Sequence, residues 1–166
     1  MRPIQSFEPV SRADANVLIL GSMPGKASLS AEEYYAHPRN AFWKIMEQLF
    51  GIAPDAPYRE RLQQLTANRV ALWDVMRACR RESSLDSDIV DTSIVPNDFV
   101  SFFDAHPKVD RVFFNGAKAE SSYRKHVSPT LADPDPIAYL RLPSTSPAHA
   151  ALSFKQKIAI WKRITR

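Results

Sequence analysis

The chain has 166 residues, 45% of them hydrophobic and 24% charged, with a formal net charge of +4. That length fits one domain over residues 1–166, with a core large enough to hold without staples. No apolar run approaches the roughly 20 residues of a membrane span, the first 14 residues lack the apolar centre of a secretory signal, and the single Cys79 excludes a disulfide framework or cysteine metal site, so a monomer of the reducing cytoplasm is expected, without membrane, metal or cofactor.

In chain order, residues 1–16 read as an irregular arm. Val17-Leu18-Ile19-Leu20 is a short, β-branched apolar run, which predicts a buried parallel strand that stops at Gly21. A turn, Ser22-Met23-Pro24-Gly25, follows, and then a loop dense in aromatic, cationic and amide groups, Tyr34-Tyr35-Ala36-His37-Pro38-Arg39-Asn40. A helix runs from Ala41 through Trp43 to Phe50, with Gly51 as its C-cap, and a second from Tyr58 to Ala67 turns Leu62 and Leu65 inward. Val70-Ala71-Leu72-Trp73 is the second strand, ending at Asp74. Residues 75–96 read as a long polar excursion with at most one helical turn, and a loop of that length in a compact domain is usually functional. A helix through Phe99, Phe102 and Phe103 is closed by Pro107. Arg111–Phe114 is the third strand, Ala117 to about His126 a helix, and Ile137–Leu142 the fourth strand. The last helix spans Phe154 to Ile164, burying Ile158, Ile164 and either Ile160 or Trp161.

Strands and helices alternate four times, which predicts an α/β fold: a three-layer αβα sandwich around a four-stranded parallel sheet. With right-handed crossovers, the polar residues at the strand ends, Ser22, Asp74, Asn115 and Ser144, converge on one edge, where open α/β sheets bind their ligands. The charge permits nucleic-acid binding without demanding it. Arg77, Arg80 and Arg81 cluster, as do Lys155, Lys157, Lys162, Arg163 and Arg166, although the second cluster reads equally well as a solvated helix face.

The stretches GSMPG at 21–25, YYAHPRNAFW at 34–43 and LPSTSPAHA at 142–150 resemble the uracil-DNA glycosylase superfamily, and within it the hypoxanthine-DNA (deoxyinosine) glycosylase family. The resemblance covers nearly the whole chain and implies the same αβα fold. It also implies a monofunctional hydrolase that removes a deaminated base from double-stranded DNA and leaves an abasic site. Asn40 matches the catalytic Asn of the family's HPRN motif. An Asn is no base, so its amide oxygen would orient a water; as Asn before Ala-Phe-Trp it is equally a helix cap. Tyr35 matches, by spacing, the aromatic that stacks on the flipped base, with Tyr34 as competitor. His37, next to Pro38, reads as a structural loop residue. Asp74 sits where the superfamily places a base-recognising side chain. Ionised, it would accept the N1–H of hypoxanthine and repel the N1 lone pair of adenine, though a capping role is equally open. Gly21, Ser22, Met23 and Asn115 complete the expected base-binding set. Met23 departs from the Asp or Asn common there, and a thioether holds water poorly, so uracil excision is expected to be weak. Arg39, Ser144, Thr145, Ser146 and His149 are the expected DNA contacts. That loop also departs from the family: Leu142 replaces a common His or Asn, and no large apolar wedge follows.

Two alternatives remain open at this point: the same enzyme class acting on uracil or a mismatched base, and a non-catalytic nucleic-acid-binding module. A Rossmann nucleotide site does not fit, because the glycine spacing is wrong and Pro24 falls where a helix should begin.

Overall fold

The computed structural model describes residues 1–166. The chain runs β1 (Ile4–Gln5), β2 (Val17–Gly21), α1 (Lys26–Ala31), α2 (Phe42–Phe50), α3 (Tyr58–Ala67), β3 (Val70–Asp74), β4 (Met76–Cys79), β5 (Val95–Pro96), α4 (Phe99–Ala105), β6 (Arg111–Asn115), α5 (Ala117–His126), β7 (Ala138–Leu142) and α6 (Phe154–Trp161). The main sheet has the order β3-β2-β6-β7 and is parallel throughout. Its register aligns Gly21 with Asp74 and Asn115 with Leu142, so the carboxyl ends finish together.

Because successive strand side chains point to opposite faces, β2 feeds two cores. Val17 and Ile19 pack with Phe42, Ile45 and Met46 of α2, Leu65 of α3 and Trp161 of α6. Leu18 and Leu20 pack with Phe99 and Phe102 of α4 and with Ala119 and Tyr123 of α5. This is the expected three-layer sandwich around four parallel strands. Helix α2 ends as expected at Gly51, which takes the left-handed conformation with φ 70°.

The first 16 residues and the 75–96 excursion hold more structure than the sequence suggested. β1, β4 and β5 form a second, antiparallel sheet in the order β1-β4-β5. Val10 and Leu72 exchange both backbone hydrogen bonds at 2.9 Å, so the N-terminal arm covers part of the β3 edge. The two-residue strands β1 and β5 carry no periodic signal, and the four residues of β4 are too few to show one. Helix α1, six residues inside the 22–40 loop, is likewise too short to leave a pattern in the sequence. Helix α6 stops at Trp161 and tightens into a 3-10 turn over Lys162–Thr165. Trp161 fills the inward position and Ile160 is exposed.

No helix is long and apolar enough to cross a membrane.

Candidate active site

Gly21 ends β2 directly under two side chains. A Cβ there would lie 2.5 Å from Asp74 Oδ1 and 3.3 Å from the Tyr35 hydroxyl. Only a glycine lets both close over the strand end. The Asp74 carboxyl is 3% exposed, and neither its Oδ2 nor the Tyr35 hydroxyl, both shielded from solvent, has a hydrogen-bond partner. Burying polar atoms without partners costs on the order of 1–3 kcal/mol each, and native proteins rarely do it without a use. Burial, and next the nearby Asp86 carboxylate, push the Asp74 carboxyl up to about 7 against the opposing pull of Arg81. Near neutral pH much of it therefore carries its proton, unlike the fully ionised acceptor the sequence suggested.

The backbone at the same place is ready to donate. The Ser22 and Met23 amides give no hydrogen bond to any protein acceptor, whereas the Gly21 and Ser22 carbonyls are tied to Val75 and Met76. The Met23 side chain lies in a small apolar cluster with Met76, Cys79 and Ile89, so only its backbone serves the strand end.

Tyr35 sits in the left-handed region with φ 58°, a conformation costing roughly 1–2 kcal/mol for a residue with a Cβ. Its half-buried ring stacks on Phe42 at 4.1 Å and 25°, which turns its hydroxyl toward Asp74. Tyr34, the competitor, is a core residue: 3% exposed, edge-on to Phe7, its hydroxyl donating to the Glu8 carbonyl at 3.1 Å. His37 accepts the Arg39 amide through Nδ1 at 3.1 Å, a loop-shaping contact.

Asn40 does cap α2. Its Oδ1 accepts the Phe42 amide at 3.0 Å and its own amide donates to the His37 carbonyl. The second lone pair of Oδ1 and both Nδ2 protons make no protein hydrogen bond and stay available to a water. The next residue, Ala41, donates its amide to the Thr145 carbonyl at 3.0 Å, which fastens this turn to the 143–149 loop.

Asn115, at the end of β6, clamps that loop from below. Its Nδ2 donates to the Thr145 hydroxyl at 3.0 Å and its Oδ1 accepts the Thr145 amide at 2.9 Å. With both ends engaged, Asn115 supports the loop, and Thr145, 1% exposed, is held inside it. Ser144 and Ser146 accept the amides of Ser146 and Ala148 and keep their hydroxyl protons free. Arg39 is exposed, while the His149 Nδ1 is buried without a partner.

Three residues of this region were legible only as members of basic clusters (Arg81 and Lys157) or of a polar excursion (Asp86), and the structure buries both basic ones. Lys157 of α6, 5% exposed, donates through Nζ to the Ser144 and His149 carbonyls at 2.8 and 2.7 Å. Asp86 reaches out of the 75–96 excursion to accept the Ser22 hydroxyl at 2.6 Å. Arg81, 4% exposed, donates to the carbonyls of Ser83 at 2.5 Å and Pro24 at 2.6 Å. Apart from Ser83, two positions from Arg81, their partners lie 8 to 64 positions away, beyond any local pattern. No group of His, Cys, Asp and Glu residues is arranged to hold a metal.

Comparison with known proteins identifies relatives of the chain and of its fold. Residues 8–165 match the model of the Uracil DNA glycosylase superfamily. Proteins named hypoxanthine DNA glycosylase from Methanosarcina barkeri and Methanosarcina acetivorans are each 39% identical over 116 residues, covering 69% of this chain and 72% of the relative. A solution NMR structure of a candidate uracil DNA glycosylase from Methanosarcina acetivorans superposes with a TM-score of 0.79 at 31% identity, covering 99% of this chain and all of the other. The chain belongs to the uracil DNA glycosylase superfamily.

Proposed function

We propose that the protein hydrolyses the N-glycosidic bond between deoxyribose and hypoxanthine in double-stranded DNA, acting as a monomer without a cofactor and leaving an abasic site. The observation that carries this reading is the pair of buried, unpartnered polar atoms, Asp74 Oδ2 and the Tyr35 hydroxyl, beside two free backbone amides at the end of β2. Such a set suits a flat heterocycle bearing both donors and acceptors, and relatives of this chain are named for hypoxanthine.

A duplex hides the scissile bond, so the nucleotide must first leave the stack, at a cost of a few kcal/mol. Phosphates are gripped by Arg39 and by the hydroxyls of Ser144 and Ser146, with Thr145 and His149 shaping that loop. The flipped base lies against Tyr35, and its edge meets Asp74 and the Ser22 and Met23 amides. As the C1′–N9 bond lengthens, positive charge grows on the sugar and negative charge on the base, and the backbone donors are preorganised for the latter. Asn40 holds the water that attacks C1′. Strand cleavage is not part of the scheme, because Lys157, the buried lysine near the site, has its ammonium engaged by two carbonyls.

The test is incubation with a duplex containing one deoxyinosine, scoring free hypoxanthine and then strand breaks with and without alkali. Base release with breaks only after alkali is expected. Binding without base release would favour a non-catalytic module.

A further inference from the structure

Two carboxyl groups lie where β2 and β3 end, Asp74 beside Gly21 and Asp86 on the next residue, Ser22, and their surroundings differ. Asp74 is buried, with an oxygen that finds no partner. Asp86 is half-buried and accepts the Ser22 hydroxyl at 2.6 Å. It is delivered there by a latch. The 81–86 segment is fastened across residues 22–26 by Arg81 on the Met23 and Pro24 carbonyls, by Ser84 accepting the Lys26 amide at 2.9 Å, and by Asp86 on Ser22. The excursion is thus a fixed wall of the strand-end site.

Resting on the proposed glycosylase activity, we propose that Asp74 is the general acid of base excision and that Asp86 is the positioning residue that keeps the acid proton in place. The charged and titratable groups acting on Asp74 are few. Asp86 favours its protonated form and Arg81 opposes it. Around it, the hydroxyls of Tyr34, Tyr35 and Tyr58 stay protonated, each held up by burial first. The Arg81 guanidinium is itself occupied by three carbonyls, so it is not free to ion-pair with Asp74. A buried carboxyl with an unpartnered oxygen, set near a second and more exposed carboxyl, can serve as the acid of such a pair, a pattern that recurs in hydrolases.

The step balances without a co-reactant. The Asp74 O–H proton passes to an acceptor atom of the purine ring system as the C1′–N9 electron pair goes to the base, neutralising the negative charge that the backbone amides stabilise while the bond lengthens, so the base leaves neutral. The water oxygen bonds to C1′, and one of its protons returns to the Asp74 carboxylate, restoring the acid. Nothing is oxidised or reduced.

The experiment is a pH profile from 5 to 9.5 of single-turnover hypoxanthine release from a deoxyinosine duplex at saturating enzyme, for the wild type, Asp86→Asn and Asp74→Asn. Asp86→Asn keeps an oxygen for the Ser22 hydroxyl while losing the charge. The wild-type rate should be level at low pH and fall about tenfold per unit above the Asp74 titration. Asp86→Asn should move that descending limb to lower pH, and Asp74→Asn should abolish the limb and slow excision by about 10²–10⁴-fold. A wild-type rate that is flat or rises with pH overturns the acid role, whatever the variants do. A limb that stays in place in Asp86→Asn overturns the role of Asp86. Absence of hypoxanthine release at every pH instead overturns the underlying activity, and so is distinguishable from failure of the acid proposal.

Discussion

At the scale of single residues, Asn40 carries two duties that substitution can separate. Its side chain caps α2 on the Phe42 amide, so Asn40→Ala should cost about 1 kcal/mol of stability. If it also holds the nucleophilic water, the same change should slow single-turnover excision by about 10²–10³, roughly 3–4 kcal/mol of barrier, with DNA binding nearly kept. Asn40→Asp preserves the cap and should melt like the wild type while retaining partial activity. Melting temperatures and single-turnover rates of both variants decide the matter, and a folded, fully active Asn40→Ala would remove Asn40 from the chemistry. Asp74 makes a complementary prediction about stability. Its folded-state pKa is raised to about 7, so the native state holds a proton that the unfolded chain releases near 4. Native stability therefore falls as pH rises through that window, by about 4 kcal/mol when Asp74 is fully ionised. Asp74→Asn, free of the buried charge, should melt above the wild type at pH 8 and lose that advantage towards pH 4. Melting curves at both pH values check this. A site that weakens the fold in this way is the usual trade of stability for activity.

At the scale of elements, the 143–149 loop is held on several sides: Asn115 of β6 grips Thr145, Lys157 of α6 reaches two carbonyls, Trp161 donates to the Pro143 carbonyl at 2.9 Å, and the Ala41 amide ties it to the Asn40 turn. Lys157→Met would strand two carbonyls at a cost of about 1–3 kcal/mol and loosen the loop. Weaker DNA binding with little change in the single-turnover rate at saturating enzyme is expected, checked by titration of labelled duplex. The sequence displayed the four parallel strands and their helices because each carries five or more residues of pattern. It displayed Asp74 as the end of such a strand, whereas Asn40 and Tyr35 were legible through the resemblance carried by YYAHPRNAFW. It displayed Arg81 and Lys157 only as members of basic clusters and Asp86 only as part of a polar excursion. Those side chains act across the fold on backbone carbonyls and a serine hydroxyl, and the small sheet that shapes the excursion includes strands of only two residues. Asn115 was legible as a strand-end residue, but its use as a loop clamp in place of a base contact came only from its two hydrogen bonds to Thr145.

At the scale of the whole molecule, a modest net charge of +4 serves a ligand whose backbone is uniformly anionic. The fold offers no helix arranged to read a groove, so affinity should come from phosphate contacts with little sequence dependence. The logarithm of the binding constant should then fall linearly with the logarithm of salt concentration, by about 0.9 for each phosphate neutralised. Fluorescence anisotropy across a salt series measures the slope, and a flat line would contradict DNA as the ligand. Base choice remains the central question, and it turns on the strand-end set that binds the heterocycle. Here Met23 turns a thioether into an apolar cluster, where many relatives are expected to present an Asp or Asn, while Asp74 and the free amides remain for a purine edge. The most direct test is the ratio of single-turnover release rates for hypoxanthine and uracil from two duplexes that differ only in that base. Hypoxanthine is expected to leave faster by about tenfold or more, and uracil released as fast or faster would contradict the hypoxanthine assignment.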